Sequence, residues 1–204
     1  MRWDKLFDDL ESQLEQELSA EELDLEAEEE RMRLGRLAVR DRLVALHRAE
    51  ALDSGYGVVV TLGSGLRLAV HPVTFGRDWF SADLLTDDGA APGSRAQCIL
   101  PLAAIAGIGL SPVQVTASLV AEERDAGHPS LSSRLGLPFV LRDLCRRRRP
   151  LDLVLAHGEL HGTLDRVGRD HVDLAVHERG AVRRESAVRE YRLVPFAALQ
   201  FVRL

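Results

Sequence analysis

The 204-residue chain predicts a mainly β, α+β fold made of two tandem copies of a helix followed by five short strands, with an acidic helical arm in front. Three observations carry this expectation. A Gly-Arg-Asp turn recurs between strand-like runs at Gly76-Arg77-Asp78 and Gly168-Arg169-Asp170. A Pro-Leu-Ala-Ala stretch at 101–104 is echoed by Pro195-Phe196-Ala197-Ala198. Upstream, Arg33-Leu34-Gly35 with Val39-Arg40-Asp41 is echoed by Arg134-Leu135-Gly136 with Val140-Leu141-Arg142-Asp143. Three landmarks in the same order argue for a duplicated module.

The elements follow from local pattern. Trp3, Leu6, Phe7, Leu10, Leu14 and Leu18 are spaced three and four apart, one face of a helix. Ser19 with Glu22 forms a capping-box pattern that starts a new helix, expected from Ala20 to about Leu52. Asp53-Ser54-Gly55 ends it. Val58–Leu62, Leu66–Val73 and Trp79–Leu85 read as strands, separated by Gly63-Ser64-Gly65 and by the Gly76 turn. Gln97–Leu100 and Ile105–Leu110 flank a short turn, expected to be 3₁₀. Val113–Val120 alternates like a further strand, and Ala121–Pro129 is loop-like. The second copy opens with a helix from Leu131 to about Arg148, stopped by Pro150. Its strands are expected at 151–155, 160–167, 171–177, 188–193 and 200–204.

Composition sets the class. With 46% apolar and 28% charged residues the chain matches an ordinary globular protein. No apolar run approaches the roughly 18 residues of a membrane span. The acidic N-terminus lacks the basic and apolar regions of a secretory signal, so a cytoplasmic location is expected. Cys98 and Cys145 stand alone, which argues against a disulfide framework or a zinc site. The net charge of −6 divides unevenly: residues 1–30 hold 13 acids against Arg2 and Lys5, a net of −11, and the rest carries +5.

The second copy resembles the first motif of Sm-like (LSm) proteins, a small SH3-like fold. The residues concerned are Gly158-x-Leu160-x-Gly162-x-Leu164, then Val167 leading to Asp173-Leu174-Ala175-Val176. The match covers about 131–204 and extends more weakly to 34–110, where Gly65-x-Arg67 replaces the glycine pair. The resemblance implies two tandem five-stranded small barrels, each with a leading helix. The implied organisation is an acidic arm over 1–30, a first barrel over 31–112, a connector over 113–130 and a second barrel over 131–204. Two family features are missing. Where RNA-binding Sm proteins carry an Asn for base contact, this chain has Asp173 and Ser81, and no Arg-Gly pair occupies the second motif. An Asp there repels phosphate. The whole chain also resembles uncharacterised actinobacterial proteins, which implies no activity.

Each candidate site has a plain alternative. Gly76, Asp78, Gly168 and Asp170 are expected as structural turns, with Gly at positive φ and Asp bonding backbone N–H groups. Arg146, Arg147, Arg148 and Arg149 form the strongest positive cluster, suited to nucleic acid or another anion, or to a solvated helix C-terminus. Trp3, Phe7, Leu10 and Leu14 are the candidate partner-binding stripe, or else pack on their own fold. The acidic polar face of that helix disfavours membrane binding. His157-Gly158-Glu159-Leu160-His161 lacks the spacing of a zinc helix, and both His are expected at the surface. Asp165, Asp170 and Asp173 lack the spacing of a calcium loop.

No catalytic motif, cofactor site or metal site is expected. Two readings follow. The first is a non-enzymatic interaction or adaptor protein that contacts an unknown protein partner through its N-terminal helix and strand edges, the edges also serving homo-oligomers. The second is an RNA- or DNA-binding protein that uses the basic body and is autoinhibited by the acidic arm.

Overall fold

A computed structural model describes Ser19 and residues 21–49, 57–85, 96–120, 131–180 and 184–204. They fall into two compact units, Met1–Val39 and Arg40–Leu204. In the first unit, helix α1 covers 21–35 and is laced by Glu28–Arg31 and Glu30–Arg33 pairs one turn apart. The long helix expected from Ala20 to Leu52 is broken: α1 stops at Gly35, and α2 begins at Val39 and runs to Arg48. Glycine is a poor helix former and a common terminator.

Among the described residues the second unit holds ten strands. They are β1 (Val58–Leu62), β2 (Arg67–Phe75), β3 (Trp79–Leu84), β4 (Gln97–Pro101) and β5 (Ile105–Gly109), then β6 (Pro150–Leu155), β7 (Gly158–Val167), β8 (His171–Val176), β9 (Glu190–Pro195) and β10 (Leu199–Arg203). All belong to one antiparallel sheet in the order β5-β1-β2-β3-β4-β10-β6-β7-β8-β9. The order of the first five, 5-1-2-3-4, is repeated by the second five. Helices α2, α3 (Pro112–Leu119), α4 (Leu131–Arg134) and α5 (Leu137–Arg147) complete the unit.

The duplication extends to irregularities. β2 and β3 shift register between Pro72 and Thr74, and β7 and β8 shift between Leu164 and Arg166, the equivalent place. β1 and β5 shift beside Leu62, as β6 and β10 shift beside Leu199. Bulges bend a strand and increase its twist, so the same curvature is written into both copies. Pro72 is tolerated inside β2 because the ladder is already interrupted there. The expected 3₁₀ turns are present at Leu102–Ala104 and Phe196–Ala198.

The two expected barrels do not close. Closure of the first would engage the free edge of β4, but β10 occupies it, with Val202 opposite Ile99 and Arg203 opposite Cys98. The copies are therefore joined edge to edge. Each core also reaches across the seam: Val154 and Phe201 pack with the first-copy cluster around Leu43, Leu46, Val60 and Phe80, while Trp79 and Ile99 pack with Leu141, Leu153 and Leu174 of the second.

Two further expectations change. Val113–Val120 is helical, not a strand. Ser111 and Gln114 form a reciprocal capping box with Pro112 in the first turn, and the buried face is Gln114 and Ser118, so exposed Val113 and Val115 gave a misleading alternation. The helix expected over 131–148 is split by Leu135-Gly136 into α4 and α5.

Candidate interaction surface

Both Gly-Arg-Asp turns have the same backbone wiring. Gly76 N–H donates to Trp79 O at 2.8 Å, and Gly168 N–H to His171 O at 2.9 Å. Leu102 N–H donates to Asp78 O, and Phe196 N–H to Asp170 O. A helix arginine clamps each turn: Arg40 Nε donates to Gly76 O at 2.7 Å, and Arg142 Nη2 to Gly168 O at 3.4 Å. The glycines are not at positive φ, contrary to expectation. They are required by a close approach. A Cβ at Gly76 would lie 2.1 Å from Trp79 Nε1, and one at Gly168 would lie 2.5 Å from His171 Cε1.

The two turns then part company. Asp78 Oδ1 accepts Leu137 N–H at 2.7 Å, capping α5, whose own N-cap Gly136 supplies no side-chain bond. Arg77 N–H and Trp79 Nε1 both donate to Leu135 O, at 3.0 and 2.9 Å. The first turn is thus a joint that seats the second copy's helix. The side chain of its counterpart Asp170 lies beside its neighbour His171, with Nδ1 at 2.8 Å, and is 84% exposed.

The strand edges show the same contrast. Ile99 on β4 is 3% exposed beneath β10, whereas its equivalent Leu193 on β9 is 64% exposed and Tyr191 beside it 60%. Among the described residues β9 pairs with β8 alone and β5 with β1 alone, so they form the two ends of the sheet. Glu190 and Arg192 on β9 pair with each other at 2.9 Å.

Positive charge gathers elsewhere. Arg146 and Arg147 hold Asp143 at 2.5 and 2.6 Å, and Arg148, a left-handed C-cap, lies 3.4 Å from Asp165. All four residues from Arg146 to Arg149 are exposed at the end of α5. The two acid hydrogen bonds keep the Asp143 carboxyl below the usual carboxylate range, Arg147 contributing most. An open cavity of about 520 Å³ brings Arg77, Arg142 and Arg169 together beside Gly136 and Phe139. Both repeated turns therefore contribute an arginine to the lining of one hollow.

A polar row missed by sequence reasoning crosses the second copy. Arg203, Asp152 and His161 are cross-strand neighbours on β10, β6 and β7. Asp152, 6% exposed, receives His161 Nδ1 at 2.6 Å and Arg179 at 3.1 Å. Arg179 and Arg203 both also reach Glu159. Buried Thr163 Oγ1 meets His177 Nε2 at 2.9 Å, and the two His rings contact edge to face. His157 is exposed as expected, but His161 is half-buried. The only available sequence signal was Asp152 inside the apolar run 150–155.

Asp165, Asp170 and Asp173 do not converge on a cation; Arg148, His171 and Arg166 respectively stand beside them. Among the described residues no cluster of His, Cys, Asp and Glu could hold a metal, and no helix is long and apolar enough to cross a membrane. Burial pushes the Cys98 thiol up to about 12, so it carries no thiolate near neutral pH. Trp3, Phe7, Leu10 and Leu14 lie outside the described residues. No protein-family model, curated protein or solved structure matches the chain.

Proposed function

We propose that the chain is a non-catalytic, cytoplasmic interaction protein that holds partners by adding strands to its open sheet edges, with the N-terminal stripe as a second contact. The carrying observation is the bare pair Tyr191 and Leu193 on β9, at positions whose first-copy counterparts lie on a covered strand. An unpaired strand edge presents a row of free N–H and C=O groups, and exposed apolar side chains beside it supply specificity. The finer structural reading is two Sm-like modules opened and joined edge to edge; the twice-read order of helix then five strands supports it. The reading requires no cofactor or metal.

The test compares proteins retained from native extract by the wild type, by Leu193→Lys and by Trp3→Ala/Phe7→Ala. Each variant is expected to lose partners that the wild type keeps. Identical sets for all three overturn the proposal.

A second reading, RNA or DNA binding, is favoured by Arg77, Arg142 and Arg169 lining one hollow beside the start of α5, with the exposed Arg146–Arg149 run at that helix's other end. The acidic residues 1–30 would compete with the nucleic acid. Filter binding at increasing salt tests it: affinity that falls steeply with salt supports the reading, and no binding or salt-indifferent binding overturns it.

A further inference from the structure

We propose that the hollow lined by Arg77, Arg142 and Arg169 is a docking site for a phosphorylated peptide segment of a partner protein, with the phosphate among the three arginines and a neighbouring apolar side chain against Phe139. This rests on the interaction reading above and names the chemistry of one partner segment.

Three elements place the cations. Arg77 and Arg169 come from the two repeated turns, and Arg142 from α5. Arg77 Nη2 packs against Gly136, where a Cβ would lie 2.8 Å from it. Arg142 Nη2 reaches Gly168 O at 3.4 Å, so its guanidinium also stands at the wall of the hollow. Its first-copy equivalent, Arg40, is committed to its own turn by a 2.7 Å bond and is 25% exposed. Arg142 is exposed and held by a longer bond, and its guanidinium has five N–H donors, so several remain for a ligand. The site needs both copies, because each supplies one of the turns.

Charge points to a dianion. Among the described residues no acid lines the hollow. Asp78 lies 3.5 Å from Arg77, but its Oδ1 already accepts the Leu137 N–H. Three arginines exceed what one carboxylate needs. They match a phosphate monoester, with about −1.5 to −2 charge at pH 7 and three acceptor oxygens. The start of α5 adds the positive end of a helix dipole but few amides. Leu137 N–H goes to Asp78, Phe139 N–H goes to Gly136 O, and Pro138 has none. Side chains therefore hold the anion.

Shape points to a peptide. The cavity is open, so a chain can enter and leave around one inserted side chain, whereas a free small ligand is ordinarily buried over most of its surface. Pro138 and Phe139 lie four and three residues before Arg142, on one face of α5, and put an apolar wall beside the cations. Phe139 is 54% exposed. A nucleic-acid strand needs cations for successive phosphates. The Arg146–Arg149 run begins only at the far end of α5, a helix about 16 Å long. One cation cluster beside one exposed ring suits a single phosphorylated side chain.

The test is fluorescence anisotropy of the full chain with a labelled pool of short peptides. Each carries a central phosphoserine, phosphothreonine or phosphotyrosine followed by Leu, with the other positions random. The phosphorylated pool is expected to bind about tenfold or more tighter than the same pool without phosphate. Arg142→Gln and Arg169→Gln should each remove most of that difference, with urea midpoints showing that both variants fold. Phe139→Ser should weaken the phosphopeptides while leaving their competition by inorganic phosphate unchanged, and Arg146→Gln/Arg147→Gln should bind them like the wild type. Equal binding of the two pools, or binding indifferent to both Arg142→Gln and Arg169→Gln, overturns the inference. So does displacement by adenosine monophosphate or inorganic phosphate as effective as by unlabelled phosphopeptide, which would assign the hollow to a small phosphate. Tighter binding of a 5′-phosphorylated oligouridylate that Arg146→Gln/Arg147→Gln abolishes overturns it in favour of nucleic acid. A chain that does not distinguish the pools but still loses extract partners on Leu193→Lys refutes the phosphate site alone and leaves edge binding standing.

Discussion

Replacing Asp78 and Asp170 by Ala makes the same chemical change at equivalent turns and should have opposite consequences. Asp78 Oδ1 accepts the Leu137 N–H at 2.7 Å and is the side-chain cap of α5, because Gly136 at the N-cap position offers none. Loss of an N-cap acceptor costs about 0.5–2 kcal/mol. Asp78 is close to half exposed, so water recovers part of the loss, and about 1 kcal/mol is the expected value. For a chain of this length that lowers the melting temperature by roughly 2–4 °C. Asp170 caps no helix and is 84% exposed, so its loss should stay within about 0.5 kcal/mol. Asp78→Asn keeps an acceptor and should recover about half of the Ala loss, the remainder being charge at the helix N-terminus. Urea titration of dilute protein followed by circular dichroism reads all three. Equal destabilisation by Asp78→Ala and Asp170→Ala would show that the first turn is not a joint between copies and refute the reasoning.

Three other outcomes are expected. Ile99→Ala should cost about 2–5 kcal/mol by opening a cavity under the seam, while Leu193→Ala changes urea stability by less than about 0.5 kcal/mol. Gly76→Ala should cost about 1–3 kcal/mol, and Gly168→Ala less in a parallel melt, because the Trp79 ring is buried and bonded to Leu135 O whereas half-buried His171 can swing aside. Finally, the Cys98 thiol, raised to about 12 by burial, keeps its proton in the fold but loses it on unfolding above the ordinary thiol pKa of about 8.5. The unfolded state then binds fewer protons, so this residue makes stability fall as pH rises between those values, by about 1.4 kcal/mol per unit. Cys98→Ala should remove that slope from a urea series between pH 9 and 11, and an unchanged slope would disprove the assignment.

Much of the architecture was legible because it depends on short-range pattern. The Gly-Arg-Asp turns, the β-branched runs and the Pro-Leu-Ala-Ala turn place every strand within a few residues. Misreadings arose where burial and hydrophobicity disagree. In α3 the residues facing inward are Gln114 and Ser118, so the apolar pattern pointed to a strand while the Ser111–Gln114 capping box signalled a helix. The role of Gly76 was invisible because it depends on where the Trp79 ring comes to rest, not on a local dihedral preference. The Asp152–His161–Arg203 row spans three strands separated by up to 51 positions, from 152 to 203, and only strand register brings it together.

The amino-acid sequence alone determines that this protein is a duplicated helix-and-five-strand module with an acidic N-terminal segment. Those features are set by side-chain period, turn residues and charge, all readable over a few positions. Whether each copy closes on itself or opens to its neighbour was decided only by tertiary structure. In the structure β10 covers the edge of β4, and burial of Ile99, Trp79 and Phe201 goes with that joint. That burial sums over contacts between distant segments, and it also decided which copy of the repeated turn became a joint and which was left facing solvent.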